Sequence, residues 1–318
     1  WKPEKAQCHI FAGDAYHAIG DETNMVREYE EATRISKRRV GHLRLMRHYL
    51  TKNDWEKVAE HSYRAKKITE LSGYIENMDD FNSHAHIWHY VSLHKLGKLN
   101  ESKKAYIEAL KAYPYDRDII VALKFYFPMP HVSVVVPTLG REDKLANLLK
   151  LIDQNACWHN YEVIVEHDSL ENRQGVPKTF KRGMEKSRND LVMFLANDTE
   201  PKFAFMFHAG KRMILNFTDV VGLVGLNDGV WDGSVATHWL ASKRLLPYLD
   251  GEFFCTEYQH TKCDVELTER CRLMGKFAYE PLAKLNHDNP IVKGGEYDEV
   301  NRIAADMDRR RRDCATYE

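Results

Sequence analysis

The chain has 318 residues, with 46 Lys plus Arg against 47 Asp plus Glu and a formal net charge of −1. That length is enough for two domains. The charge balance argues against a strongly electrostatic nucleic-acid binder and leaves room only for a local basic face. No apolar run approaches the roughly 18 residues of a membrane span, and no signal peptide is visible in this sequence, which begins at Trp1 rather than Met. Six dispersed cysteines without a CxxC pair fit a reducing compartment, so a cytoplasmic location is expected.

The first 120 or so residues read as helix. Three segments resemble one another: AIGDETNMVREYEEA from Ala18, LTKNDWEKVAEHSYRA from Leu50 and KLGKLNESKKAYIEAL from Lys95. Each is a polar turn followed by a helix with apolar positions three and four apart, closing on Ala. Ala32 and Ala65 lie 33 apart, close to the period of tetratricopeptide repeats. The next interval, to Ala109, is longer, with the extra residues around SGYIENMDD. Tyr29, Tyr63 and Tyr106 are predicted packing wedges, and Pro114 should close the last helix.

The period then changes. FPMP, Phe127 to Pro130, is a proline-punctuated linker, which divides the chain into 1–126, a linker 127–131 and 132–318. HVSVVVPT predicts a strand, and REDKLANLLKLIDQ an amphipathic helix with Leu145, Leu148, Leu149 and Ile152 on one stripe. YEVIVEHDS, PKTFKRGMEKS and DLVMFLANDT follow as strand, helix and strand. Successive βαβ units imply a parallel sheet with helices on its faces. Ligands of such sheets bind beyond the carboxyl ends of the strands. Here those ends are Pro137 to Arg141, Glu166 to Ser169 and Asn197 to Thr199, all polar.

The second half, roughly Val132 to His287, resembles a family 2 glycosyltransferase. VSVVVPTLGREDKLANLL is similar to that family's first strand and helix, YEVIVEHDS to its second strand, and LVMFLANDTEP to the strand ending in the DxD motif in its NDT form. CDVELTERCRLMGK resembles the acidic motif that opens the acceptor-side helix, and PLAKLNHDNP the late segment carrying a histidine. The motifs come in the family's order and spacing. The helical half resembles repeats attached to bacterial and phage glycosyltransferases. The resemblance implies an α/β GT-A domain, Rossmann-like and of the nucleotide-diphospho-sugar transferase kind, preceded by an all-α tetratricopeptide-like repeat domain.

It also implies roles. A departing diphosphate needs a divalent cation with oxygen ligands, Mn²⁺ or Mg²⁺. Asp198 matches the last acid of DxD and is expected to hold the metal, with His287 completing the site; imidazole suits Mn²⁺ better than Mg²⁺. Ala196 stands where the first acid belongs, so either the metal has fewer protein ligands or Asn197 supports the sugar or ribose instead. Asp264 matches the catalytic base, which must sit within reach of the acceptor hydroxyl. Cys263 replaces the acid before it, and Glu266 is expected to support the acceptor side or the helix start. An acid-rich first helical turn accounts for the same residues, and an Asx-type turn after a strand accounts for NDT.

Pro137, Thr138 and Arg141 fall where the family holds the nucleotide, and Glu166 and Asp168 are alternatives for its base or ribose. Lys178 and Lys181 face either phosphate or solvent. GLVGLNDG looks like a strand and loop bounding the donor sugar, and Trp239 in THWLASKRLL is either a sugar platform on the acceptor side or a packing residue.

The reading is thus an inverting transferase that takes a nucleotide-diphosphate sugar. Its acceptor is a glycan, a protein or a nucleic acid, and the repeats offer a face to a protein partner. A nucleic-acid acceptor draws weak support from the KSR, SKR and RRRR runs. The other class of function that stays open is a non-catalytic repeat scaffold with a degenerate transferase domain. Ala196 and Cys263 favour it; the ordered survival of Asp198, Asp264 and His287 opposes it.

Overall fold

The computed structural model describes all residues except 37, 70–81, 159, 170, 288–301, 303–306 and 318. The SGYIENMDD insertion and the Asp288 to Pro290 end of the late motif therefore lie outside the described residues. The chain divides into two compact units, Trp1–Tyr126 and Phe127–Glu318. Among the described residues no helix is long and apolar enough to cross a membrane.

The first unit is helical throughout. Helices α1 (Lys2–Ala18), α2 (Glu22–Ile35), α3 (Arg39–Thr51), α4 (Trp55–Lys67), α5 (His84–Lys95) and α6 (Leu99–Ala112) pack as successive pairs. Two short helices follow, α7 (Arg117–Val121) and α8 (Leu123–Tyr126). The polar turns work as starts: the Asp21 and Asp54 carboxylates accept from Asn24 N and Lys57 N, each at 3.1 Å. Ala32, Ala65 and Ala109 are all buried, as close helix approach requires. Tyr29 wedges against Gly13, where any Cβ would strike its ring.

Tyr106 is buried like Tyr29, but Tyr63 is not: it is 47% exposed, with the Lys66 and Lys67 ammonium groups 5.4 Å from its ring centroid. The reason is register. Tyr29 and Tyr106 stand three residues before their alanines and share a face with them. Tyr63 stands two before Ala65, and the buried position falls to Ser62.

Four histidines of this unit are held in neutral form, His42 and His61 buried and His86 and His89 partly buried. Burial is the main cause in each case; it draws His42, His61, His86 and His89 down to about 4, aided by neighbouring cations or by another histidine. A histidine free in the unfolded chain takes its proton near 6.5. Lowering the pH from 6.5 towards 4 therefore favours the unfolded chain, and the helical unit loses stability across that window. Thermal denaturation followed by circular dichroism should show Tm falling steadily from pH 7 to 5, before the carboxylates titrate. A flat Tm over that range would contradict neutral burial.

The second unit holds β1 (Val132–Thr138), β2 (Tyr161–His167), β3 (Leu191–Phe194), β4 (Thr199–Pro201), β5 (Leu223–Asn227), β6 (Trp239–Ser242) and β7 (Phe277–His287) in the order β2-β1-β3-β6-β5-β7-β4. Its helices are α9 (Glu142–Asn155), α10 (Val176–Lys186), α11 (Phe205–Asn216), α12 (Cys263–Leu273) and α13 (Met307–Tyr317). The segment before β1 is pinned to this unit by Trp158 Nε1, which donates to Pro130 O at 3.1 Å. β1 is buried at every position, as a strand covered on both faces must be.

The sheet is mixed rather than wholly parallel. β1 pairs in parallel with β2 and β3, but β6 runs antiparallel between β3 and β5. β5 therefore runs with β3, and β7 runs with β5. Five strands end at one edge, and β6 enters there. The predicted third strand is also shorter than DLVMFLANDT. It stops at Phe194, and Thr199–Pro201 form a separate strand that pairs antiparallel with β7, Thr199 opposite His287. That small ladder brings two segments almost ninety residues apart to the same edge.

Candidate functional site

A cavity of about 380 Å³ opens at this edge, a volume suited to a small-molecule ligand. Pro137, Thr138 and Arg141 line it from the end of β1, Asp168 from the end of β2, and Asn197 and Asp198 from the segment after β3. Asp264 lines it from the first turn of α12 and His287 from the end of β7. The topology therefore brings eight of the sequence-predicted residues together.

Within this group Asn197 is a strut. Its side-chain amide donates to Thr138 Oγ1 at 2.7 Å and to Gly140 O at 3.2 Å, and Thr138 Oγ1 donates to the same carbonyl at 2.9 Å. These bonds fix the β1 loop against the end of β3. Arg141 adopts a left-handed backbone (φ 62°), and its Nη1 reaches Asp198 Oδ2 at 3.2 Å. Strain of this kind is typical of functional sites. Asp168 accepts from the backbone N–H of Ser169, Gln174 and Gly175, each at 2.9 Å, and so shapes the loop that forms one wall.

The β4–β7 ladder sets His287 between two carboxylates. Its Nε2 is 3.6 Å from Asp198 Oδ1 and its Nδ1 3.8 Å from Asp228 Oδ2, too long for hydrogen bonds and suited to ion pairs. Burial pulls the His287 proton affinity down, but Asp198 and Asp228 more than offset it and lift the pKa to about 9. Burial pushes Asp198 up, and His287 and Arg141 bring it below its ordinary value, to about 2. Asp228 is likewise held low despite burial, chiefly by His287 and Thr237. His238 is fully enclosed, and burial drops it to about 3.

Asp228 and His238 were not singled out in the sequence. Together with His287 they offer ligand atoms within 4.8 Å of one another. Asp228 is nevertheless already committed: it accepts from Val230 N at 2.9 Å, Trp231 N at 3.3 Å and Thr237 Oγ1 at 2.6 Å, and it does not line the cavity. The signal for it was present. Asn227, Asp228 and Gly229 follow an apolar strand, the same pattern that drew attention to Asn197 and Asp198.

Asp264 is partly buried at the start of α12, where its Oδ1 accepts from Val265 N at 2.9 Å. Burial raises its pKa, and nearby Asp228 adds to the rise. No ion pair compensates it among the described residues.

Five predicted residues, Trp239 among them, lie elsewhere. Glu166 is covered by α10 and takes Arg182 Nε at 2.9 Å and Lys186 Nζ at 2.5 Å, so of the two alternatives Asp168 is the one at the cavity. Lys178 is on the exposed face of α10, and Lys181 on the same helix pairs with Glu252 at 2.6 Å. Glu266 pairs with Arg270 at 3.5 Å on α12 and is outside the cavity lining.

Trp239 is fully buried among Phe180, Phe194, Phe253 and Phe254, with ring centroids 5.0 to 5.7 Å away. Its ring has no face for a sugar, because β6 is a central strand covered on both sides. Trp239→Ala is therefore expected to destabilise the α/β unit by about 3–5 kcal/mol, measured by urea denaturation. A stable variant with altered acceptor use would contradict the packing role.

A tetratricopeptide-repeat family model matches residues 91–116. No curated protein matches the chain. Among solved structures, S. aureus TarS 1-349 in complex with UDP is similar at 15% identity and a TM-score of 0.39, over 47% of this chain and 57% of that one. A longer S. aureus TarS structure aligns over only 37% of its own length. The mannosyltransferase PcManGT from Pyrobaculum calidifontis, in complex with GDP-Man and Mn²⁺, is similar at 14% identity and a TM-score of 0.41, over 59% of this chain and 69% of that one. The Arabidopsis OM64 TPR domain matches at 16% identity and a TM-score of 0.31, over 40% of this chain and 97% of the domain. These likenesses carry none of the functional argument that follows.

Proposed function

We propose that the α/β unit is a metal-dependent, inverting glycosyltransferase of the GT-A kind, moving a sugar from a nucleotide diphosphate to an acceptor nucleophile. The observation that carries this is the joining of Asp198, His287 and Asp264 in one cavity by strands and a helix far apart in sequence. A fold with no such chemistry has no reason to gather two partly buried carboxylates and a histidine at the rim of its sheet.

The residues present fit a divalent cation. Asp198 Oδ1 and His287 Nδ1 are buried without a hydrogen-bond partner. Asp198 and the Nε2 side of His287 would hold the ion. Asp228 faces the ring on the Nδ1 side as an ion-pair partner at 3.8 Å. When bound, the cation neutralises charge on the departing diphosphate. A carboxylate with an imidazole suits Mn²⁺ at least as well as Mg²⁺.

The chain supplies the rest. Asp198, held as a carboxylate, anchors Arg141 at the donor side. Asn197 and Thr138 fix the loop on which the nucleotide rests, and the Asp168-ordered loop forms the wall beside it. Asp264 accepts the proton of the acceptor hydroxyl; burial raises its pKa, which makes its carboxylate a stronger base than a solvated one. One base and direct displacement give inversion at the anomeric carbon. The helical unit is read as a face for a protein or polymeric partner.

The test is a screen of UDP-, GDP- and TDP-sugars with Mn²⁺ or Mg²⁺, reading release of the nucleoside diphosphate. Turnover of one donor, lost on chelation, is the expected result; no turnover with any donor, with or without added glycan, contradicts it.

A further inference from the structure

The C-terminal helix α13, which carries the RRRR run, belongs to the site's wall. Asp313 is 1% exposed, and its carboxylate accepts three backbone N–H groups: Gln259 at 3.0 Å, His260 at 3.0 Å and Thr261 at 2.7 Å. Tyr317 donates to Glu269 at 2.6 Å and lies under the Lys262 ammonium, 5.2 Å from its ring centroid. The clasped loop leads directly into Lys262, Cys263 and Asp264. It also meets the opposite wall, since Gln259 O accepts from Val176 N at 3.1 Å and lies where a Cβ on Gly175 would be.

Three residues before Asp313, Arg310 lines the same cavity. Its Nε is buried without a hydrogen-bond partner, and among the described residues no ion pair reaches it. Two of the three carboxylates that line the cavity are committed elsewhere. Asp198 is paired with Arg141, Asp168 is occupied by three backbone amides, and Asp264 makes no ion pair among the described residues. Neighbouring Arg311, by contrast, is exposed and paired with Asp308 at 3.6 Å. A half-buried guanidinium without an anion is costly unless a ligand brings one.

We propose that Arg310 ligates a phosphate oxygen of the substrate, and that Asp313 clasps α13 so that this guanidinium faces Asp264 across the cavity. This rests on the transferase reading for the choice of phosphate. A planar guanidinium suits that group through paired hydrogen bonds. The phosphate comes either from the donor's diphosphate or from a phosphorylated acceptor.

Calorimetric titration of the full chain in Mg²⁺ separates the cases, with UDP, GDP, inorganic pyrophosphate and glycerol 1-phosphate as probes. Wild type is compared with Arg310→Gln, Arg310→Lys and the control Arg311→Gln, all checked for unchanged Tm. Arg310→Gln should weaken at least one probe roughly tenfold or more, Arg310→Lys less, and Arg311→Gln not at all. Weakened UDP, GDP or pyrophosphate assigns Arg310 to the donor; weakened glycerol 1-phosphate alone assigns it to the acceptor.

Equal binding of every probe by wild type and Arg310→Gln overturns the assignment and leaves the transferase reading standing. Wild type that binds pyrophosphate but neither nucleotide overturns the transferase reading while still testing Arg310. Wild type that binds none of the four overturns both.

Discussion

Asp264→Asn is expected to bind the donor as wild type does and to lose transfer by about 10²–10⁴-fold in kcat, the range that a positioned base supplies. The amide keeps the shape of the carboxylate and can still accept from Val265 N, so the helix start is retained. It cannot accept the acceptor's proton. The stability effect has the opposite sign. A carboxylate whose folded pKa is raised favours the protonated form, so its contribution is stabilising at low pH and is lost as pH rises through the raised value. Above the unfolded value the raised pKa is a cost, and at pH 7 Asp264→Asn should raise Tm or leave it unchanged. A variant that transfers at the normal rate would refute the base assignment; one that melts early would indicate a structural role.

Asp198→Asn should remove metal-dependent donor binding altogether. The substitution takes away the carboxylate nearest His287 Nε2 and the partner of Arg141 in one step. His287 then has only Asp228 to stabilise its proton, so its pKa should fall from about 9, which chemical-shift titration of the ring would read. Nucleotide affinity should lose its dependence on Mn²⁺. If the Asp198→Asn variant still binds nucleotide more tightly with Mn²⁺ than without, the ion is held elsewhere, and the cluster of Asp228, His238 and His287 becomes the alternative.

Much of this was legible in the sequence because the signals were local. The change from helical spacing to unbroken Val-rich runs marked the passage from helices to sheet, and each polar strand end stood out against an apolar run. Asp198, Asp264 and His287 could be singled out because their motifs follow one another in order. What was not legible depended on pairing across the chain. Nothing local shows that Thr199–Pro201 leaves its strand to pair with β7, or that β6 runs backwards through the sheet. That reversal places His238 at the rim while burying Trp239 in the aromatic core. Asp228 was passed over although its strand ends as the others do. Asp313 and Arg310 sit in a charged run whose composition reads as a solvated helix face, and only the fold shows one carboxylate clasping a loop and one guanidinium lining a cavity.

The site's central claim is that Asp198 and His287 make nucleotide binding depend on a divalent ion. Calorimetric titration of wild type and Asp198→Asn with UDP, GDP and TDP, each with Mn²⁺ and with chelator, measures this directly. The account predicts that at least one nucleotide binds wild type with Mn²⁺, that chelation abolishes most of that affinity, and that Asp198→Asn behaves like chelated wild type. Failure of all three nucleotides to bind wild type in the presence of Mn²⁺ would contradict it.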